Sequence, residues 1–113
     1  MKLNSLITNV YDIIVGYYIA GEPAYDISIR TCLRGSKGPV SARLGDYYFF
    51  GINKEVDLAY IREALELLLK RGVIISSMGS YNRLCYTPRD KDYAGRRYLF
   101  IRNNKEMLYE KYY

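Results

Sequence analysis

Residues 56–88 read VDLAYIREALELLLKRGVIISSMGSYNRLCYTP, and this stretch decides the fold. Leu58, Ile61, Leu65 and Leu68 recur at three- and four-residue steps, which marks the apolar face of a helix. The spacing predicts a helix over 54–71, begun by Asn53 or Asp57. Lys70 and Arg71 complement the negative end of its dipole, and Gly72 supplies the left-handed residue that closes it. An apolar strand follows at 73–78. Gly79, Ser80, Tyr81 and Asn82 form a polar turn, and a second strand runs over 83–87. A helix, a glycine stop and a β-hairpin are therefore expected in immediate succession.

This succession resembles the second half of a winged helix-turn-helix domain. The resemblance covers about thirty residues well and the rest loosely. It implies an α+β, mainly helical domain whose hairpin is the wing. It also implies a helix that packs in or near the major groove of double-stranded DNA, with the wing riding on the adjacent backbone.

Upstream, Leu3, Leu6, Ile7, Val10, Ile14, Tyr17 and Tyr18 make one apolar stripe and predict a helix over 3–20, ended by Gly21 and Pro23. Residues 24–35 fit two periods. Ile27, Ile29, Thr31 and Leu33 alternate as in a strand, whereas Tyr25, Ile29, Cys32 and Leu33 share a helical face. The winged-helix resemblance favours a short helix at 24–34, because that family carries a second helix before its turn. Gly35 to Pro39 form a turn. Val40, Leu44, Tyr47 and Tyr48 then follow at helical spacing and predict a helix over 39–50.

Downstream, Thr87, Pro88 and Asp90 read as a helix start: a cap, a proline at the first position and an acid at the third. Ala94, Tyr98, Ile101, Lys105, Leu108 and Tyr112 repeat in heptad steps, so a long helix is expected there. A strand at 97–101 followed by a short terminal helix is the competing reading. Tyr98, Ile101, Leu108 and Tyr112 are the expected dimer interface, which would match two wings to a palindromic site.

The chain has 113 residues, 50% of them hydrophobic and 26% charged, which suits one globular domain. It carries 14 Tyr and neither Trp nor His. Without His the commonest general base and metal ligand are missing, and two cysteines do not build a usual zinc site. Cys32 and Cys85 read as buried thiols, with a disulfide as the alternative. No signal peptide or spanning segment is evident, so a cytoplasmic location is expected, inside a host cell if the source is viral. The tyrosine-rich, histidine-free composition also resembles small proteins of viruses and plasmids of hyperthermophilic archaea.

Net charge is +5, unevenly spread: residues 27–44 contribute +4 with no acid among them. Such a block is what an electrostatic footprint for phosphate looks like, although a solvated face has the same composition. Two segments compete as the DNA reader. The 54–71 helix lies directly before the wing and offers Lys54, Tyr60 and Arg62, the last suited to a guanine edge. Its charges cancel. The 39–50 segment gathers Lys37, Ser41 and Arg43 at its start, where hydroxyls and backbone N–H groups suit phosphate. Position favours the first, and Arg30, Arg34, Lys37, Ser41 and Arg43 would then hold the backbone. Tyr81, Asn82 and Arg83 would contact DNA from the wing.

No catalytic residue, cofactor site, metal site or small-molecule site is expected. Acids are scattered singly, and Gly35-Ser36-Lys37-Gly38 lacks P-loop spacing. The function expected is double-stranded DNA binding by a homodimer, as a transcriptional regulator or a replication or segregation accessory. The alternative is a protein–protein module on the same scaffold, which the neutral 54–71 helix favours.

Overall fold

A computed structural model describes residues 3–38 and 41–104, with the backbone alone at residues 3, 4, 41 and 42. Helix α1 spans Leu3–Ile19, α2 Asp26–Arg34, α3 Leu58–Lys70 and α4 Lys91–Asn103. Strands β1 (Ile74–Met78) and β2 (Leu84–Pro88) pair antiparallel, from Ile74 opposite Pro88 to Met78 opposite Leu84. The fold is thus α+β, four helices with one hairpin among the described residues.

α1 is the central element. Val10, Ile13, Ile14 and Val15 are wholly buried, and Leu6, Ile7, Tyr11 and Tyr17 nearly so. The predicted stripe was one-sided, yet the helix is apolar around most of its circumference, as a helix packed on several sides must be. It touches α2, α3, α4 and β2. Gly16 lets Leu44 and Phe49 approach, since a Cβ there would stand 3.4 Å from Leu44 Cδ1 and 3.5 Å from Phe49 Cζ.

Residues 24–34 take the helical reading from Asp26 onward, and Ala24 does something else. It forms a lone antiparallel bridge to Tyr86, whose N–H donates to the Ala24 carbonyl at 2.9 Å. The hairpin thereby gains a third edge, in the order Ala24, β2, β1.

The helix predicted over 39–50 does not form. Within it, only Ser41–Leu44 winds into a short 3-10 turn, residues 45–51 run through further turns, and residues 39–40 lie outside the described chain. The reason is packing. Tyr48 and Phe49 are adjacent and both buried, with Tyr47 and Phe50 partly so. Four consecutive aromatics cannot share one helical face, and Gly45 and Gly51 flank them. Gly51 has φ 74° and its N–H donates to the Cys32 carbonyl at 2.9 Å. A Cβ on Gly35 would meet Gly51 Cα at 3.0 Å, so the segment docks on the end of α2 through two glycines.

α3 starts at Leu58, with Asp57, the later of the two expected starts, at the cap position. Gly72 closes it with φ 70°, as expected. The predicted start of the last helix moves too. Thr87 and Pro88 are hairpin residues, paired with Ile75 and Ile74. Asp90 caps α4 instead, its Oδ1 accepting from the Tyr93 N–H at 2.9 Å. The ladder continues past β2 through a bond from the Arg89 N–H to the Val73 carbonyl, so 87–89 cannot be helical. Over 97–101 the chain is helix and not strand.

α4 packs on α1. Ala94 is wholly buried and Ile101 is 2% exposed, both in the chain's own core. Ile101 is therefore not open to a second copy as the heptad reading had it, because α1 already covers that face. Tyr98 is half-buried, and its hydroxyl shares a 2.8 Å hydrogen bond with that of Tyr47. Lys105, Leu108 and Tyr112 lie outside the described residues. Cys32 and Cys85 are both free thiols.

Candidate nucleic-acid interface

The first turn of α2, the outer face of α3 and the hairpin enclose an open cleft of about 600 Å³. Its apolar wall includes Ile27, Leu65, Leu69, Leu84 and Tyr86. Arg62 stands on the α3 side and Arg83 on the hairpin side, with Asp26 and Glu66 also present. The four charges cancel. A second cleft of about 580 Å³ shares Ile27 and Arg83 and reaches Ser80 and Tyr81 at the hairpin tip. Burial raises the Tyr86 phenol above its ordinary range, and the Asp26 carboxylate adds to this while Arg62 opposes it.

The tip has an unusual backbone. Tyr81 (φ 60°, ψ 30°) and Asn82 (φ 55°) both adopt left-handed conformations. This pair, closed by the Arg83 N–H donating to the Ser80 carbonyl at 3.3 Å, is the primed turn that suits the twist of two-residue hairpins. Tyr81 is 94% exposed, so its ring gains nothing from the core. Tyr25 holds the tip from below. Its hydroxyl accepts from the Ser80 N–H at 3.1 Å, and a Cβ on Gly79 would come within 2.6 Å of that oxygen.

The cations expected to touch DNA divide into two groups. Three are engaged by the fold. Arg34 donates from Nε and Nη2 to the Val56 carbonyl at 3.2 and 2.9 Å, tying the end of α2 to the approach of α3. Arg43 pairs with Glu22 at 3.2 Å. Arg62 donates from Nε to Asp26 Oδ2 at 3.1 Å. Arg30 is half-buried, whereas Lys37, Lys54 and Arg83 are exposed. Lys54 lies in the turn before α3 and not on the helix. Tyr60 is 57% exposed on the first turn of α3. The side chain of Ser41 lies outside the described residues. The structure thus gathers Arg62, Tyr81 and Arg83 about the clefts. Of the two competing reader segments, 39–50 is not a helix, whereas the favoured 54–71 segment is one over Leu58–Lys70.

Sequence reasoning missed Tyr25, Asp26 and Ile27, which complete the clefts from the start of α2. It also missed Glu22 as the partner of Arg43. The one local signal was an acid in the first turn of a helix, a favourable position that says nothing of a partner 36 residues away.

A second polar cluster is buried away from the clefts. Asp12, wholly buried on α1, accepts from Arg97 Nε at 2.8 Å and Nη2 at 2.7 Å, and from the Tyr48 hydroxyl. Burial pushes the Asp12 carboxyl up, and Arg97 and Tyr48 pull it back toward ionisation. The same hydrogen bonds hold Arg97 firmly protonated. This cluster joins α1, the 45–51 segment and α4, and it is structural. Burial also pushes the Cys32 thiol up to about 12, which leaves it a poor nucleophile.

Among the described residues no group of three or more His, Cys, Asp or Glu side chains is placed to hold a metal ion. None of the described helices is long and apolar enough to cross a membrane. No protein-family model matches the chain, and comparison with curated proteins and with solved structures yields no significant match.

Proposed function

We propose that this chain is a winged helix-turn-helix protein that binds double-stranded DNA inside the cell, as a transcriptional regulator or a replication or segregation accessory. One observation carries the reading: Arg62 on α3 and Arg83 on the hairpin flank a single cleft. A duplex whose groove receives α3 would set its adjacent backbone against the hairpin, as in winged-helix complexes. The order of elements supports it. α1 leads to the Ala24 bridge, then come α2, α3 and the hairpin, with Ala24 added to the outer edge of β2. One departure from the pattern is the long 35–57 connection, where a helix-turn-helix has a tight turn.

The homodimer belongs to the same proposal, on a surface other than Ile101. Leu99 and Phe100 are the exposed apolar residues of the second half of α4, at 52% and 39%. Sedimentation at micromolar concentration should give twice the chain mass, and a monomer mass rejects the dimer.

DNA binding is tested by fluorescence anisotropy with random duplex at two salt concentrations. Affinity should fall steeply with salt, by a slope of about −0.9 per phosphate contact. Replacing Arg83, Lys37 and Lys54 together by Ala should flatten that slope. Weak binding with no salt dependence would reject the reading.

A second reading is a protein–protein module on the same scaffold. The apolar wall and cancelling charges of the cleft favour it. It predicts capture of a partner chain whose binding persists at high salt and is lost on Leu84→Asp.

A further inference from the structure

We propose that Asp26 is a positioning residue that holds Arg62 ready for a base edge. The inference rests on the DNA-binding reading above. Asp26 opens α2, and its carboxylate is fixed before any ligand arrives. Oδ1 accepts from the Ile27 N–H at 2.7 Å, and its side chain is only 23% exposed. Oδ2 accepts from Arg62 Nε at 3.1 Å. Arg62 itself is 62% exposed and lies on α3, the helix that faces the cleft.

The choice of nitrogen matters. A guanidinium reads guanine O6 and N7 with a fork of two N–H groups. The bond to Asp26 occupies Nε and leaves both terminal amino groups for such a fork. A long, rotamer-rich side chain ordinarily loses freedom when it binds, and an anchor already in place removes part of that cost. Lys at this position would have no planar fork and would gain nothing from the anchor.

Asp26 also places a negative charge beside a polyanion. It therefore opposes binding to any duplex while sharpening the choice among them. These effects have opposite signs, which separates positioning from simpler roles.

The experiment compares the wild type with Asp26→Ala, Asp26→Asn and Arg62→Ala. The best duplex is selected from a random-sequence library, and affinities are measured for it, for single-base-pair variants and for random duplex. Asp26→Ala should bind random duplex more tightly. It should also lose up to about tenfold of the preference at the one base pair that Arg62→Ala relaxes. Asp26→Asn removes the charge and keeps one acceptor oxygen, which the amide can turn to the Arg62 Nε–H while it gives up the Ile27 N–H bond. It should bind random duplex more tightly yet retain most of the preference. Thermal melts check folding, and Asp26→Asn decides the matter where Asp26→Ala is unfolded.

Equal gains on all duplexes with preference intact would reduce Asp26 to a repelling charge and overturn the inference. Parallel loss of affinity and preference in both Asp26 variants would make it a fold residue and overturn it as well. In either case the wild-type salt slope still stands for the DNA reading. A wild type that binds no duplex fails that reading directly and takes the inference with it.

Discussion

Tyr81 occupies a backbone position that most side chains avoid. A left-handed residue with a Cβ costs roughly 1–2 kcal/mol, and Asn or Gly accepts it far more readily. The neighbouring position, also left-handed, is filled by Asn82, the type the turn prefers. At Tyr81 the ring is 94% exposed, so burial does not offset the cost. Tyr81→Asn should therefore stabilise the protein by about 1 kcal/mol. A rise in the urea midpoint at constant slope would show it. The same variant should bind duplex DNA less well, since the wing loses its aromatic tip. A lower midpoint would mean that the Tyr81 ring packs on the fold in solution. Gly79 is constrained for a different reason, the Tyr25 ring beneath it, and any side chain there must displace that ring.

Helix α4 is held to α1 by a short apolar contact and one ion pair. Ala94 and Ile101 supply the buried apolar residues, and Asp12 with Arg97 supplies the polar lock. A bidentate pair with one partner at 0% exposure and the other at 20% is well formed, yet it is not evidence of large net stability. Its removal is asymmetric. Arg97→Met strands a carboxylate in the core and should cost about 3–5 kcal/mol, a large share of the 5–15 kcal/mol typical of a domain. Asp12→Leu together with Arg97→Met removes both charges and should recover much of that loss. Denaturant midpoints of the two variants measure this. A cost for Arg97→Met below about 1 kcal/mol would mean that water reaches Asp12 when α4 loosens.

For the whole molecule, the tyrosines and Cys32 set an alkaline limit. Burial pushes Tyr11, Tyr17, Tyr47 and Cys32 up to about 12, from ordinary values of 10.0 for Tyr and 9.0 for Cys. The unfolded chain surrenders these protons at lower pH than the folded one. Between those limits the folded state holds more protons, so stability falls as pH rises. The full contribution is present below about pH 9 and is lost progressively toward pH 12. Urea midpoints at pH 7, 9 and 10.5 should be level over the first interval and drop over the second. Cys32→Ala should delay the onset of the fall. A midpoint that stays level to pH 10.5 would mean these side chains titrate as if exposed.

Local pattern determined α1, α3, the Gly72 stop and the hairpin, because each depends on neighbours within four residues or on one turn. Leu58, Ile61, Leu65 and Leu68 announce a helix by spacing alone, and Ile61, Leu65 and Leu68 are buried as that spacing requires. Val73 to Thr87 announce two strands and a turn for the same reason. The path of 41–53 was decided elsewhere. Its aromatics fit a helical period on paper, but the core offered room for Tyr48 and Phe49 side by side, and Gly35 met Gly51. The start of α4 moved from Thr87 to Asp90 because hairpin pairing claimed Thr87 and Pro88 first. The candidate site was half legible: Arg62, Tyr81 and Arg83 stand out by residue type and place. Their setting was not, since Arg62 meets Asp26 across 36 residues, and the Asp12–Arg97 lock spans 85. Pairs so distant leave no period in a sequence. They exist only because α1 gathers α2, α3, α4 and the hairpin around itself. Burial then requires Asp12 to have a partner, while Arg62 and Asp26 meet near the surface where α2 and α3 come together.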